Sequence, residues 1–99
     1  MQGFSKVVGT TFRDDVDLSK LKVGDDLILV REKDNQYDPN AVAIYANFDD
    51  KAKQIGYVKR ELAQDMAKLM DAGEVMVGEI TQITGGHDGQ NHGVNYKFW

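Results

Sequence analysis

Between Arg31 and Val42 the chain reads Arg-Glu-Lys-Asp-Asn-Gln-Tyr-Asp-Pro-Asn-Ala-Val. This one connection gathers an aromatic ring (Tyr37), a carboxylate (Asp38), three amides (Asn35, Gln36, Asn40) and nearby cations (Arg31, Lys33). A ring stacks on a flat ligand, a carboxylate accepts from a hydroxyl, and cations meet phosphates, so this is an inventory for recognition. The plainer account is that Asn35, Asp38, Pro39 and Asn40 are turn formers whose side chains bond to nearby backbone, with Tyr37 half covering the core.

Other residues that bear chemistry are sparse. His87 and His92 lie five apart with Asp88 between them, which is not a one-face helical spacing; structural zinc normally takes four ligands. The acidic pairs Asp14 with Asp15, Asp25 with Asp26, and Asp49 with Asp50 imitate paired catalytic or Mg²⁺-binding carboxylates. Their turn-like settings favour solvated loops. Gly85 and Gly86 lack the GxxxxGK[ST] context of a phosphate-binding loop. With no cysteine there is neither a disulfide nor a thiol nucleophile. The expectation is a chain that is not an enzyme and uses no cofactor or metal.

Elements must position these side chains. Phe4 to Thr10 reads as a strand, with Gly9 marking a bulge or close approach. Asp14 to Gly24 reads as a loop with a helical turn tucking Leu18 and Leu21 inward. Leu27 to Arg31 and Ala41 to Tyr45 are short apolar strands, so the recognition segment joins a hairpin. Asn47 to Lys53 is expected to be a second polar connection, and Gln54 to Val58 another strand. From Lys59 to Ala72 the period changes: Leu62, Met66, Leu69 and Met70 form a helical stripe, closed by Gly73. Val75 to Ile83 alternates as a strand, Gly85 to Gly93 is glycine-rich, and Val94 to Trp99 is the last strand. Phe98 and Trp99 are expected to seal the core. The predicted fold is mainly β with helix: a small six-stranded OB/SH3-like barrel, closed or nearly so, with one clear helix and a short second one.

The 99 residues suffice for one domain, with 41% apolar and 28% charged residues as in a globular protein. No run of about 18 apolar residues is present, and Met1 to Thr10 carries no basic start before an apolar stretch. A cytoplasmic protein with no membrane partner is therefore expected. A net charge of −4 argues against indiscriminate binding of nucleic acid. Yet Arg31, Lys33, Lys51, Lys53, Lys59 and Arg60, half of the twelve basic residues, fall in two short segments, and a local basic face is compatible with overall acidity.

The sequence resembles the HIRAN domain, a module at the front of Swi/Snf-type fork-remodelling helicases that also occurs alone in bacteria and phages. The likeness is carried by Val7-Val8-Gly9, by Leu29-Val30-Arg31-Glu32 leading to Asn35, Tyr37-Asp38 and Asn40-Ala41-Val42, and by Ile55-Gly56-Tyr57-Val58-Lys59-Arg60-Glu61-Leu62-Ala63. It spans Val7 to about Ile83.

The resemblance implies a small barrel that captures the 3′ end of single-stranded DNA, in repair or replication-fork processing. It gives Tyr37 the role of stacking on the terminal base and Asp38 that of accepting from a free 3′-hydroxyl while repelling a 3′-phosphate. Asn35 matches an amide for the terminal base or sugar, and Tyr57 with Lys59 the face meeting the next nucleotide and its phosphate. Phe12 corresponds to a second stacking aromatic. The helicase members have a basic residue before it where this chain has Thr11, with Arg13 as a substitute from the other side. Lys33 and Arg60 are phosphate candidates by proximity, and Arg31 belongs to the same basic cluster. Two rivals stand beside this: an adaptor presenting Tyr37 and Phe12 to a DNA-processing protein, and a metal-dependent nuclease on His87, Asp88 and His92.

Overall fold

The computed structural model describes residues 1–10, 16–85 and 92–99. Strand β1 (Gly3–Lys6) is followed by a 3₁₀ turn (Leu18–Lys20), β2 (Asp26–Arg31), β3 (Val42–Phe48), β4 (Lys51–Tyr57), helix α1 (Arg60–Asp71), β5 (Val77–Thr84) and β6 (Gly93–Phe98). The six strands form one antiparallel sheet in the order β1-β6-β5-β2-β3-β4. Alternation sorts their residues: in β2, Leu27 and Leu29 are buried while Asp26, Ile28 and Val30 face outward. Ile44, Ile55, Ile80, Val94 and Tyr96 from four other strands meet Met66 of the helix in one apolar cluster. Burial pushes the Tyr96 phenol up to about 12.

Of the expected barrel, closed or nearly so, the six strands and the helix are present, but the sheet does not close. Strand pairing ends at β1 and β4, and among the described residues the segment just after β1 meets β4 at one isolated bridge, where Val8 N donates to Tyr57 O (2.9 Å) and Tyr57 N to Val8 O (2.8 Å). The reason is local. β1 has four residues, and Gly9 at φ +76° turns the chain away one residue after the bridge. That bridge requires Gly56, since a Cβ there would lie 2.3 Å from Val8 O and 2.6 Å from Val7 Cγ1.

Three further expectations are refined. The supposed polar connection from Asn47 to Lys53 is a tight hairpin: β3 runs to Phe48, β4 starts at Lys51, and Asp49 (φ +50°) with Asp50 (φ +71°) forms a two-residue turn of the I′ kind. The helical stripe is centred on Ala63, Met66 and Ala67, with Leu62 and Met70 half-buried beside it. Two alanines one turn apart let the helix approach the core closely, which the larger residues alone did not indicate. Phe98 is buried against Tyr96, as expected, whereas Trp99 is 47% exposed and does not seal the core.

The remaining turns follow the sequence closely. Asp17 caps the 3₁₀ turn by accepting from Ser19 N, and Leu21 behind it is buried. Gly73 at φ +97° ends α1 while Gly73 N donates to Met70 O and Glu74 N to Leu69 O, the pair of bonds that satisfies a helix's last carbonyls. Most of the glycine-rich stretch after β5 lies outside the described residues. No helix among the described residues is long and apolar enough to cross a membrane.

Candidate nucleic-acid interface

Ten residues join β2 to β3, and side-chain bonds to backbone give them their shape. At the mouth Glu32 N donates to Ala41 O (3.0 Å), so the two strands still face each other. Beyond it Asn35 Oδ1 accepts from Tyr37 N and Asp38 N, both at 2.9 Å. Asp38 Oδ1 then accepts from Asn40 N (2.9 Å), and Asp38 O from Ala41 N (3.0 Å). These are two successive Asx turns, in which a short polar side chain substitutes for a backbone turn. Pro39 between them has its φ fixed by its ring. The consequence is that Tyr37 stands 92% exposed on a held backbone, with Asp38 half-buried beside it. Tyr37 does not cover the core.

Glu32 ties this loop to the rest of the protein. Its Oε1 accepts from Asn35 Nδ2 (3.2 Å) and from Tyr57 Oη (3.0 Å), joining the loop to the end of β4. Glu32 was not among the candidate site residues. Nothing in the sequence pairs it with a tyrosine 25 positions away, and only the adjacency of β3 and β4 brings them together. Asn35 is consequently engaged at both ends of its amide, which makes it the organiser of the loop rather than a free hand for a base.

A cleft of about 270 Å³ opens between the loop and the end of β4, lined by Val8, Asn35, Tyr37, Asp38, Ala41, Tyr57, Val58 and Arg60. It thus brings together five candidates: Asn35, Tyr37, Asp38, Tyr57 and Arg60. Arg60 is the first residue of α1, whose start has no side-chain cap. Lys59 precedes it, exposed but not among the lining residues.

Arg31 and Lys33 are placed differently. The Arg31 guanidinium donates through Nε and Nη2 to the Asp71 carboxylate (3.1 and 3.3 Å) and through Nη1 to Ala41 O (3.2 Å), with only 14% of the side chain exposed. It clamps the β2–β3 hairpin to the end of the helix and holds the Asp71 carboxyl below the usual carboxylate range. Lys33 Nζ lies 3.6 Å from the same carboxylate. Neither lines the cleft, because Asp71, 40 residues beyond Arg31, draws both cations toward the helix end. Phe12, Arg13 and Thr11 lie outside the described residues, as do His87, Asp88 and the Asp14–Asp15 pair. Among the described residues no group of three or more His, Asp or Glu side chains is arranged to hold a metal. Asp49 and Asp50 form the β3–β4 turn, and Asp25 accepts from Lys22 N in the turn before β2.

The arrangement offers an upright aromatic face, an adjacent carboxylate, and a guanidinium at the start of a helix, around a partly apolar floor. It suits a flat group carrying a hydroxyl on one side and an anion on the other. Among solved structures, a protein from Lactobacillus plantarum is 28% identical over 99% of this chain and 98% of its own, with a TM-score of 0.72. The HIRAN domain of human HLTF is 25% identical over 99% of this chain and 74% of its own, with a TM-score of 0.71. No curated protein sequence matches. The HIRAN domain family model matches residues 2–99. Nearly the whole length is thus accounted for by one family pattern, and the chain belongs to the HIRAN domain family.

Proposed function

We propose that this protein is a cytoplasmic nucleic-acid-binding module that captures the 3′-hydroxyl end of single-stranded DNA in the cleft between the β2–β3 loop and β4. It serves DNA repair or fork processing and acts by binding, without catalysis of its own. The observation that carries this is the exposed Tyr37 ring next to Asp38 on a loop already fixed by Asn35 and Glu32. A ring on a backbone already held in place stacks on a terminal base at a reduced ordering cost, worth about 1–3 kcal/mol irrespective of sequence. The neighbouring carboxylate accepts from a 3′-hydroxyl and repels a 3′-phosphate, so one residue gives both attraction and exclusion. Arg60 and Lys59 supply the positive side for the first phosphates.

Fluorescence anisotropy with oligonucleotides differing only in a 3′-hydroxyl or 3′-phosphate tests the reading. The hydroxyl form binds more tightly, and Asp38→Ala erases the difference; equal affinity for the two ends sinks the mechanism. The exposed Tyr37 ring also fits an adaptor that docks a DNA-processing protein. Absence of DNA binding, together with Tyr37-dependent capture of one partner, would favour that second reading.

A further inference from the structure

A second aromatic cleft lies at the far end of β1. It measures about 410 Å³ and is lined by Phe4, Lys97, Phe98 and Trp99 with Gln2 and Gly3. Phe4 is 77% exposed, the most exposed apolar side chain of the sheet strands, and Trp99 lies across the same opening. Lys97 Nζ sits 5.7 Å from the Trp99 ring centroid. This leaves two rings and a cation at the surface with no role in the core.

What connects this cleft to the first is β1 with the extended residues Val7 and Val8 that follow it. Phe4, Lys6 and Val8 occupy alternate positions and are all exposed, whereas Val7 between the last two is buried. Side chains two apart point to the same side of an extended chain. Val8 lines the Tyr37 cleft and Phe4 lines the second one, with Lys6 midway. Lys6 makes no ion pair among the described residues. The path from Val8 to Phe4 is about 13 Å at ~3.3 Å per residue. That length holds roughly four nucleotides at a stacked rise of ~3.4 Å, and fewer if the strand is drawn out.

We infer that β1 is the track for the DNA behind the captured end: Lys6 contacts a backbone phosphate, and Phe4 with Trp99 forms a second stacking platform about two to four nucleotides from the 3′ terminus. The inference rests on the 3′-end reading of the Tyr37 cleft. Charge sets the side on which the strand runs. Beyond Lys97 the same cross-strand row continues into Glu79 and Asp26, with Glu79 Oε2 3.5 Å from Lys97 Nζ. An anionic backbone is therefore turned away from β5 and β2 and kept along β1. The alternation of a cation with exposed rings matches a sugar–phosphate chain with splayed bases better than an apolar peptide.

The test is a length series of oligothymidylates of two, four, six and eight nucleotides, all with 3′-hydroxyl ends, measured by anisotropy at several salt concentrations. Affinity rises by about tenfold between two and six nucleotides and then levels, at the lower end of what one stacked base contributes. The double variant Phe4→Ala, Trp99→Ala removes that rise and reduces the longer oligonucleotides to the affinity of the dinucleotide. Lys6→Gln, at an exposed position and with most of the side chain kept, lowers the salt slope of the longer oligonucleotides by about 0.7. Equal affinity for two and eight nucleotides overturns the inference while leaving the 3′-end reading intact. Failure of every length to bind overturns both. A double variant that binds the octanucleotide normally but converts a dimer to a monomer on sedimentation also overturns it, and assigns the surface to a second copy of this chain.

Discussion

Strand β3 is joined to its neighbours in two contrasting ways. At one end Asp49 and Asp50 reverse the chain in two residues; at the other the connection from Glu32 to Ala41 takes ten. Both join adjacent antiparallel strands that stay paired up to the connection, so the fold needs no more than the short solution. The extra length is nonetheless not slack, because the side chains of Asn35, Asp38 and Glu32 fix it with four hydrogen bonds within the loop, and Glu32 accepts a fifth from Tyr57. A long connection held rigid while its aromatic ring faces solvent is what preorganised binding requires, and the contrast can be attacked from either end.

The largest effect comes from making the long connection resemble the short one. Replacing residues 33–40 by Asn-Gly places a two-residue turn on the Glu32–Ala41 pair, which is already hydrogen-bonded. The chain then folds with stability within about 1 kcal/mol of the native protein, since a shorter loop costs less to close. Affinity for 3′-hydroxyl DNA falls by at least about 100-fold, because a stacked base and a charged hydrogen bond go together. Urea titration and anisotropy on the same preparation check both halves. Retained DNA binding would show that the loop is a mere connector after all.

Next comes the opposite wall of the cleft. Gly56→Val drives a side chain into Val8 O and Val7, breaks the bridge that seats Tyr57, and costs about 3 kcal/mol or more in thermal unfolding. A Tm within a degree or two of the native value would mean that β1 yields easily and that the Val8–Tyr57 bridge does not shape the cleft.

These two regions also differ in how far the sequence discloses them. The apolar runs at Leu27–Arg31 and Ala41–Tyr45 announce a hairpin, and the turn chemistry of Asn35, Asp38 and Pro39 announces the bend, because both signals are local. The β3–β4 turn is hidden by the same rule. Asn47, Lys51 and Ala52 are exposed, so the strands around Asp49 look polar and pass for a loop. The site divides likewise. Tyr37 and Asp38 are adjacent and legible, whereas Glu32 with Tyr57 and Arg31 with Asp71 are separated by 25 and 40 residues. Pairs so distant are set by strand order and helix placement. For that reason Arg31 read as a surface cation for phosphate when its structural position is a clamp.

A smaller effect is expected at the link between the regions. Glu32→Ala leaves Tyr57 Oη and Asn35 Nδ2 without the acceptor they share, costing about 1–2 kcal/mol of stability and about tenfold in DNA affinity as the loop loosens. Glu32→Gln retains a carbonyl acceptor and restores most of the binding. If Glu32→Ala bound DNA as tightly as the native chain, the Asx turns alone would suffice to hold Tyr37, and the contrast between the two connections would rest on them.

The smallest change should be seen at the short end, and its sign is favourable. Asp50 sits at φ +71° and Asp49 at φ +50°, in the left-handed region where glycine carries no steric penalty and aspartate a modest one. Asp50→Gly therefore relieves the backbone and removes one of two adjacent carboxylates, raising stability by roughly 0.5–1 kcal/mol. The urea midpoint rises while the affinity for 3′-hydroxyl DNA stays where it was, because this turn holds nothing but two strands together. A drop in DNA affinity without loss of stability would place the β3–β4 turn in the binding surface, and the division of labour between the two ends of β3 would fail.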